Sequence, residues 1–181
     1  MNLLTPKLAP NKSFPVTRPP RVYLAGKIRS DCWRHGLVEG LCYHLWEHGP
    51  LIQPDYIYVG PFFVSCGHGC YFRAATHGSG KGCTPDLDIN QWRVAQYCRN
   101  AIREADLVFA YIESADCFGT IAELERAHCL GIPVVITFFP GIANPKISEF
   151  WFVCSLAKSV DFEISQRELP YLLRAAIEEL I

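Results

Sequence analysis

Apolar and polar positions follow two different periods in the middle of this chain. Residues 106–112 are almost entirely apolar, a polar loop with Asp116 and Gly119 follows, residues 120–130 have helical spacing, and residues 132–138 are again apolar. Short apolar runs predict buried strands, and the intervening spacing predicts a helix. Because two sequential strands joined through a helix run parallel, the pattern predicts a βαβ unit.

The flanking segments repeat this alternation. Strands are predicted at residues 21–25, 50–59 and 159–162, and helices at residues 33–49, 88–104, 148–157 and 167–181. Residues 1–20 are rich in proline and lack a period, which predicts a flexible N-terminal lead-in. We therefore expect one α/β domain over residues 21–181. Its predicted fold is doubly wound, Rossmann-like or flavodoxin-like, with a mostly parallel five-stranded sheet and helices on both faces.

Composition narrows the classes of partner. The formal net charge is −1 and 50% of the residues are hydrophobic, so the chain lacks the basic surface that attracts nucleic-acid polymers and anionic membranes. The nine cysteines are odd in number and lie mostly in apolar runs, and no signal-peptide pattern precedes them. We expect a cytoplasmic protein that binds small molecules, with neither a nucleic-acid polymer nor a membrane as partner.

Two acidic residues lie where a parallel sheet binds its ligands, outside the carboxyl ends of the strands. Glu123 falls about one turn into the predicted helix, where the helix dipole would keep it ionised and suited to nucleophilic attack. The plainer interpretation is that Glu123 stabilises the helix start and that Asp116 caps a turn. Glu125 points to a different helix face and does not pair with Glu123. Two carboxylates at one sheet edge are typical of glycosyl-bond chemistry.

The segment at residues 60–84 is rich in glycine, cysteine and histidine and has no consistent period. Its possible metal ligands are Cys66, His68, Cys70, His77 and Cys83. Their spacing is not that of a zinc knuckle, so we expect no metal.

The HGSGKG run at residues 77–82 lacks the Ser or Thr that a phosphate-binding P-loop requires. The turn at Gly26 lacks a G-x-G-x-x-G run, and we expect no cofactor.

Two blocks of the sequence resemble one enzyme family. VYLAGKI at residues 22–28 is similar to the opening strand and loop of the nucleoside 2-deoxyribosyltransferases and the related deoxynucleotide N-hydrolases. Residues 105–135 are similar to the D-x-x-G-T-x-x-E-x-x-x-A core of that family. The two blocks occur in the family's order, and the second is the more specific of the two.

The resemblance implies a retaining double displacement that needs no metal. Glu123 would attack C1′ of a deoxyribose, while Asp116 would contact the substrate and protonate the leaving base. A second base then attacks the covalent deoxyribosyl-enzyme, whereas attack by water gives hydrolysis. The substrate-binding residues that the resemblance implies are Tyr23, Gly26, Lys27, Asp88, Gly119 and Asn144.

The chain also departs from the family pattern. Lys27 stands where many members have proline, and Glu125 stands where many have glycine. The family's additional substrate-binding Asp, on the helix before the second block, has no clear counterpart, and Asp86, Asp88 and Asn100 are the candidates. These differences bear on substrate range more than on reaction type.

Three functions stay open. The first is a nucleoside 2-deoxyribosyltransferase, and the second is an N-glycoside hydrolase of a nucleoside or its 5′-monophosphate, with Lys27, Arg29 or Arg73 as phosphate ligands. The third is a non-catalytic nucleotide-binding domain. Because family members commonly complete the pocket with a neighbour's residues, we expect a homo-oligomer, a dimer or higher, in which Asn144, Trp151 or the C-terminal helix reaches across an interface.

Overall fold

The computed structural model describes residues 18–28, 32–41, 49–61, 91–142 and 148–181. Within these ranges the strands are β1 (Arg21–Ala25), β2 (Leu51–Ile52), β3 (Ile57–Gly60), β4 (Leu107–Ile112), β5 (Val134–Phe138) and β6 (Ser159–Asp161). The helices are α1 (Gln91–Arg103), α2 (Phe118–Cys129), α3 (Trp151–Cys154) and α4 (Leu169–Glu178), with a 3₁₀ turn at Trp33–Gly36. None of the helices in the described ranges is long and apolar enough to cross a membrane.

The strands form one sheet in the order β2-β3-β1-β4-β5-β6. Strands β3, β1, β4, β5 and β6 run parallel, and only the edge strand β2 is antiparallel to its neighbour within the described chain. The predicted α/β class and mostly parallel sheet are therefore confirmed, but the described sheet has six strands where five were predicted.

Side chains alternate along β1 and supply a core on each face of the sheet. Leu24 packs on the face covered by the 3₁₀ turn and α4, in a cluster that includes Trp33 and Leu173. Tyr23 packs on the opposite face, in a cluster that includes Leu124 of α2 and residues of α1 and α3. The sheet thus has helices on both faces, as the doubly wound pattern predicts.

Two differences from the predicted elements have local causes. The segment predicted as one strand over residues 50–59 is a pair of short antiparallel strands, β2 and β3. The chain turns back between them, where the backbone N–H of Gln53 donates to the backbone carbonyl of Tyr56 at 2.8 Å. Helix α2 begins at Phe118, two residues before the predicted start. Gly119 and Thr120 are therefore the second and third residues of the helix, and the N-cap residue Cys117 makes no side-chain cap hydrogen bond.

The turn after β1 depends on a glycine. Gly26 has φ +154°, a conformation that side-chain-bearing residues rarely adopt. A Cβ at this position would also lie 2.8 Å from the backbone oxygen of Tyr111. The closeness of β4 therefore leaves no room for a side chain at the point where the chain leaves β1.

Replacing Gly26 with alanine should lower the free energy of unfolding by about 2 kcal/mol or more, because both the backbone conformation and the contact with Tyr111 become unfavourable. The measurement is urea denaturation. Gly36→Ala is the matched control, since no described atom lies within 4 Å of a Cβ there. It should change the unfolding free energy by no more than about 0.5 kcal/mol. Equal effects of the two substitutions would contradict this explanation of the turn.

Candidate active site

A tyrosine and a glutamate meet between the sheet and the helix that covers it. Tyr23 lies in β1 and is completely buried, and its hydroxyl donates a hydrogen bond to Oε1 of Glu123 at 2.5 Å. Glu123 is partly buried and belongs to α2, which follows the carboxyl end of β4. The contact brings together residues from both blocks of the sequence that resemble the family, and it fixes the rotation of the carboxylate.

Cys98 of α1 is the third member of this group. Its side chain hydrogen-bonds with both Tyr23 and Glu123. Burial raises the pKa of the Cys98 thiol to about 12, so the sulfur keeps its proton at neutral pH. We call Tyr23, Cys98 and Glu123 the carboxylate cluster.

Burial also determines the charge of Glu123. It raises the pKa of this carboxyl to about 7, against the lowering effects of the Tyr23 hydrogen bond, the positive charge of Arg34 and the Cys98 hydrogen bond. The expectation that the helix start keeps Glu123 ionised is therefore wrong. Glu123 is the sixth residue of α2, beyond the first turn, where the free backbone amides lie. Glu123 therefore titrates close to neutral pH.

The second predicted catalytic residue has the opposite environment. Asp116 is exposed in the loop before α2, and Lys27, in the turn after β1, donates a hydrogen bond to its Oδ2 and forms an ion pair with it. This contact with Lys27 is the main cause that lowers the pKa of Asp116 to about 2. Asp116 is therefore ionised at neutral pH. Its pKa argues against the proton-donor role that the resemblance implies for it.

The structure brings together only some of the predicted site residues. Tyr23 contacts Glu123, and Lys27 contacts Asp116 just after Gly26. Gly119 is exposed in the first turn of α2, with no described atom within 4 Å of a Cβ built there. The predicted residues that lie outside the described ranges are Asp86, Asp88 and Asn144, the possible phosphate ligands Arg29 and Arg73, and residues 62–84 of the Cys/His/Gly segment.

Two other predictions concern helix faces. Asn100, a candidate counterpart of the family's additional Asp, is exposed, whereas Cys98, two residues earlier on α1, belongs to the carboxylate cluster. Glu125 is exposed on α2 and accepts a hydrogen bond from the Cys129 thiol at 3.3 Å, so it does point away from Glu123, as predicted. Among the described residues, no group of His, Cys, Asp and Glu could hold a metal ion.

Sequence reasoning missed two residues with a direct influence on Glu123. Cys98 falls on the apolar stripe of α1, where a thiol resembles an ordinary core residue. Arg34 lies in a polar stretch after β1, where a charged side chain is expected to be exposed, yet it is completely buried. Neither residue belongs to a motif, so only the three-dimensional packing identifies them.

Comparison with known proteins leaves the family undecided. No protein-family model matches this chain, and no curated protein is significantly similar to it. The resemblance to the deoxyribosyltransferases therefore stays a prediction from two blocks of sequence, and a function must be argued from the chemistry of the residues.

Replacing Tyr23 with phenylalanine should raise the pKa of Glu123 by about one pH unit, because the carboxylate loses a hydrogen bond that favours its charged form. The measurement is a carbon NMR titration of protein with labelled glutamate side chains. Tyr56→Phe is the matched control, since its hydroxyl donates to the Leu37 carbonyl at 2.8 Å, away from the cluster. An unchanged Glu123 titration in the Tyr23 variant would show that the hydrogen bond does not influence the carboxyl.

Proposed function

We propose that the protein is a nucleoside 2-deoxyribosyltransferase that moves 2-deoxyribose between nucleobases through a covalent intermediate on Glu123. The observation that carries the proposal is the carboxylate cluster, in which a partly buried carboxylate is held by a phenol and a thiol beside the carboxyl end of β4. A fixed carboxylate with few water neighbours is the group that glycosyl transfer through a covalent ester requires.

Burial of Glu123 favours the covalent step. Attack on C1′ converts the charged carboxylate into a neutral ester, so an environment that opposes the charge also favours the product of attack. Tyr23 holds Oε1 and thereby orients the carboxylate toward one side of the site. A deoxyribose has no 2′-hydroxyl to oppose the developing oxocarbenium charge, and this chemistry requires no metal.

The leaving base also needs a proton, and the described residues of the site do not include a suitable donor. Asp116 holds its proton too weakly, with a pKa of about 2, and burial raises the pKa of both Tyr23 and Cys98 far above neutrality. We therefore propose Asp116, paired with Lys27, as a substrate-binding residue. Solvent is proposed to supply the proton.

A second candidate function is hydrolysis of a deoxynucleoside 5′-monophosphate. The observation that favours it is Lys27, a partly exposed cation in the turn after β1 whose partner Asp116 is itself exposed. An exposed ion pair is weak enough to exchange a carboxylate for a phosphate. The two functions share Glu123 as nucleophile and differ in the acceptor, which is a base in one and water in the other.

Assembly into a homo-oligomer is part of the proposal. Of the aromatic residues near α3, Phe150 is buried, whereas Trp151 and Phe152 are 72% and 55% exposed. Exposed neighbouring aromatic side chains are typical of protein interfaces. Light scattering coupled to size-exclusion chromatography distinguishes a monomer from an oligomer.

The first assay incubates the protein with deoxyadenosine and cytosine, and it should yield deoxycytidine and adenine. Glu123→Gln should lower the rate about 10³-fold or more because it removes the nucleophile. Glu125→Gln is the matched control and should retain the wild-type rate, since Glu125 is exposed and makes its described contact with Cys129. Free adenine and deoxyribose without deoxycytidine would indicate a hydrolase. Absence of reaction with any deoxynucleoside or 5′-monophosphate would favour the binding-domain hypothesis.

The pH dependence of the reaction should reflect the raised pKa of Glu123. Because only the charged carboxylate attacks, kcat/KM should rise with pH until about pH 7, where Glu123 titrates. Above that pH, ionisation of Glu123 should raise kcat/KM no further. Below that pH the rate should fall about tenfold per pH unit. If kcat/KM instead rises with an apparent pKa near 4.5, the ordinary value for glutamate, the result would contradict the assignment of a buried Glu123 as nucleophile.

A further inference from the structure

Arg34 is a charged residue outside both blocks that resemble the enzyme family, and its side chain is completely buried. We propose that Arg34 is a positioning residue, which clamps the turn after β1 so that Lys27 meets Asp116 between the carboxyl ends of β1 and β4. The clamp depends only on contacts within the chain, whereas its importance for substrate binding rests on the proposed function.

The carboxyl ends of β1 and β4 are neighbours in the sheet, and the chain leaves them in opposite directions. After β1 it passes through the 3₁₀ turn on one face and returns to the sheet at β2 and β3, on one side of β1. After β4 it passes through α2 on the other face and returns at β5, on the opposite side. Such a divergence opens a crevice at the strand ends, which is where open parallel sheets bind their ligands.

Lys27 and Asp116 stand on the two sides of this crevice. Lys27 is the second residue after β1, and Asp116 lies in the loop between β4 and α2. The Lys27 ammonium donates to Oδ2 of Asp116, but the two side chains are 35% and 63% exposed. Because an ion pair this exposed contributes little stability, it does not by itself hold the turn after β1 in place. The position of Lys27 therefore depends on contacts made by the buried side of the turn.

Arg34 makes those contacts. Its Nε donates to the Leu24 carbonyl at 2.8 Å, and its Nη2 donates to the Gly26 carbonyl at 2.6 Å. Leu24 belongs to β1 and Gly26 is the residue before Lys27, so one planar group ties the turn to the end of the strand. Glycine permits this closeness, since a Cβ at position 26 would lie 3.2 Å from Nη2 of Arg34.

The guanidinium is itself fixed by its surroundings. Its Nη1 donates to the Cys32 sulfur at 3.2 Å, and its carbon lies 4.7 Å from the centroid of the Trp33 ring, within the range of a cation–π contact. The backbone carbonyl of Arg34 accepts from the N–H groups of Leu37 and Val38 at 3.0 and 2.8 Å, which anchors the residue in the 3₁₀ turn. A planar fork of donors holds all these acceptors at once, and a lysine ammonium does not reproduce that geometry.

The experiment compares Arg34→Lys and Arg34→Gln with the wild type by NMR. Its first readout is the NOE between the ε-methylene protons of Lys27 and the β-methylene protons of Asp116, which should be present in the wild type and lost in both variants because both lack the fork. The second readout is the titration of Asp116. Its pKa should rise from about 2 toward its ordinary value of 3.8 in both variants, as in Lys27→Met, which lacks the cation.

Thr137→Val is the matched control for a merely structural effect. It also removes a buried hydrogen bond from a side chain to a backbone carbonyl, that of Ala110 at 2.8 Å, but it lies in β5, on the far side of β4 from the turn. Both readouts should stay as in the wild type. Equal losses in Thr137→Val and in the Arg34 variants would overturn the proposal.

An unchanged NOE and an unchanged Asp116 titration in folded Arg34→Lys would also overturn the proposal, and this variant decides alone if Arg34→Gln does not fold. A measurement on the wild type needs no substitution. The Arg34 Nε–H should exchange with solvent slowly, and exchange as fast as that of Arg174, whose side chain is 67% exposed, would contradict the clamp.

In the transfer assay, Arg34→Lys should raise KM by about the same factor as Lys27→Met and change kcat less, because the clamp acts on a substrate-binding residue. An unchanged KM in Arg34→Lys beside a raised KM in Lys27→Met would show that the clamp has no part in binding. Loss of the contact between Lys27 and Asp116 in the Arg34 variants, with no reaction of the wild type on any deoxynucleoside or 5′-monophosphate, would leave Arg34 as a positioning residue and refute the proposed function.

Discussion

The hydrogen bond between Tyr23 and Glu123 is the contact on which the site depends. It joins β1 to α2 across 100 positions in sequence, and it forms only when β1 lies beside β4 and α2 covers that face of the sheet. A buried phenol needs an acceptor, and a buried carboxylate needs a donor. Each residue therefore satisfies the other, and the same contact that completes the core also orients a reactive group.

The two acidic residues of the site differ because their surroundings differ. Burial raises the pKa of Glu123 to about 7, while the exposed Asp116 has its pKa lowered to about 2 by Lys27. Two carboxyl groups whose pKa values are driven apart are suited to different tasks. Glu123 combines a fixed orientation with an environment that favours a neutral ester, and Asp116 offers a permanent negative charge at the exposed edge of the site.

The sequence was informative wherever a single element determines its own pattern. The runs that became β1, β4 and β5 are short and apolar because both faces of a central parallel strand are buried, and their positions were predicted within one or two residues. The prediction failed over residues 50–59, where a turn at Gln53 divides a run that is apolar on both sides. Hydrophobic content alone does not distinguish one strand from two short ones.

Properties that depend on tertiary packing could not be predicted from the sequence. Glu123 was identified by resemblance, but its pKa depends on how deeply α2 lies against the sheet, and burial raises this pKa where the helix dipole was expected to lower it. Arg34 and Cys98 influence Glu123 from the 3₁₀ turn and from α1, two elements distant in sequence. The effect of a charged residue in a polar stretch, or of a cysteine in an apolar stripe, on Glu123 cannot be predicted from the sequence, because burial depends on the tertiary structure.

The most direct measurement is mass spectrometry of the protein after incubation with a deoxynucleoside and rapid acid quenching, followed by digestion and sequencing of the modified peptide. Acid quenching preserves an ester that water would otherwise cleave. We predict a single deoxyribosyl group on Glu123, absent from the Glu123→Gln variant. Turnover without any adduct, or an adduct on another residue, would contradict the assignment of Glu123 as the nucleophile.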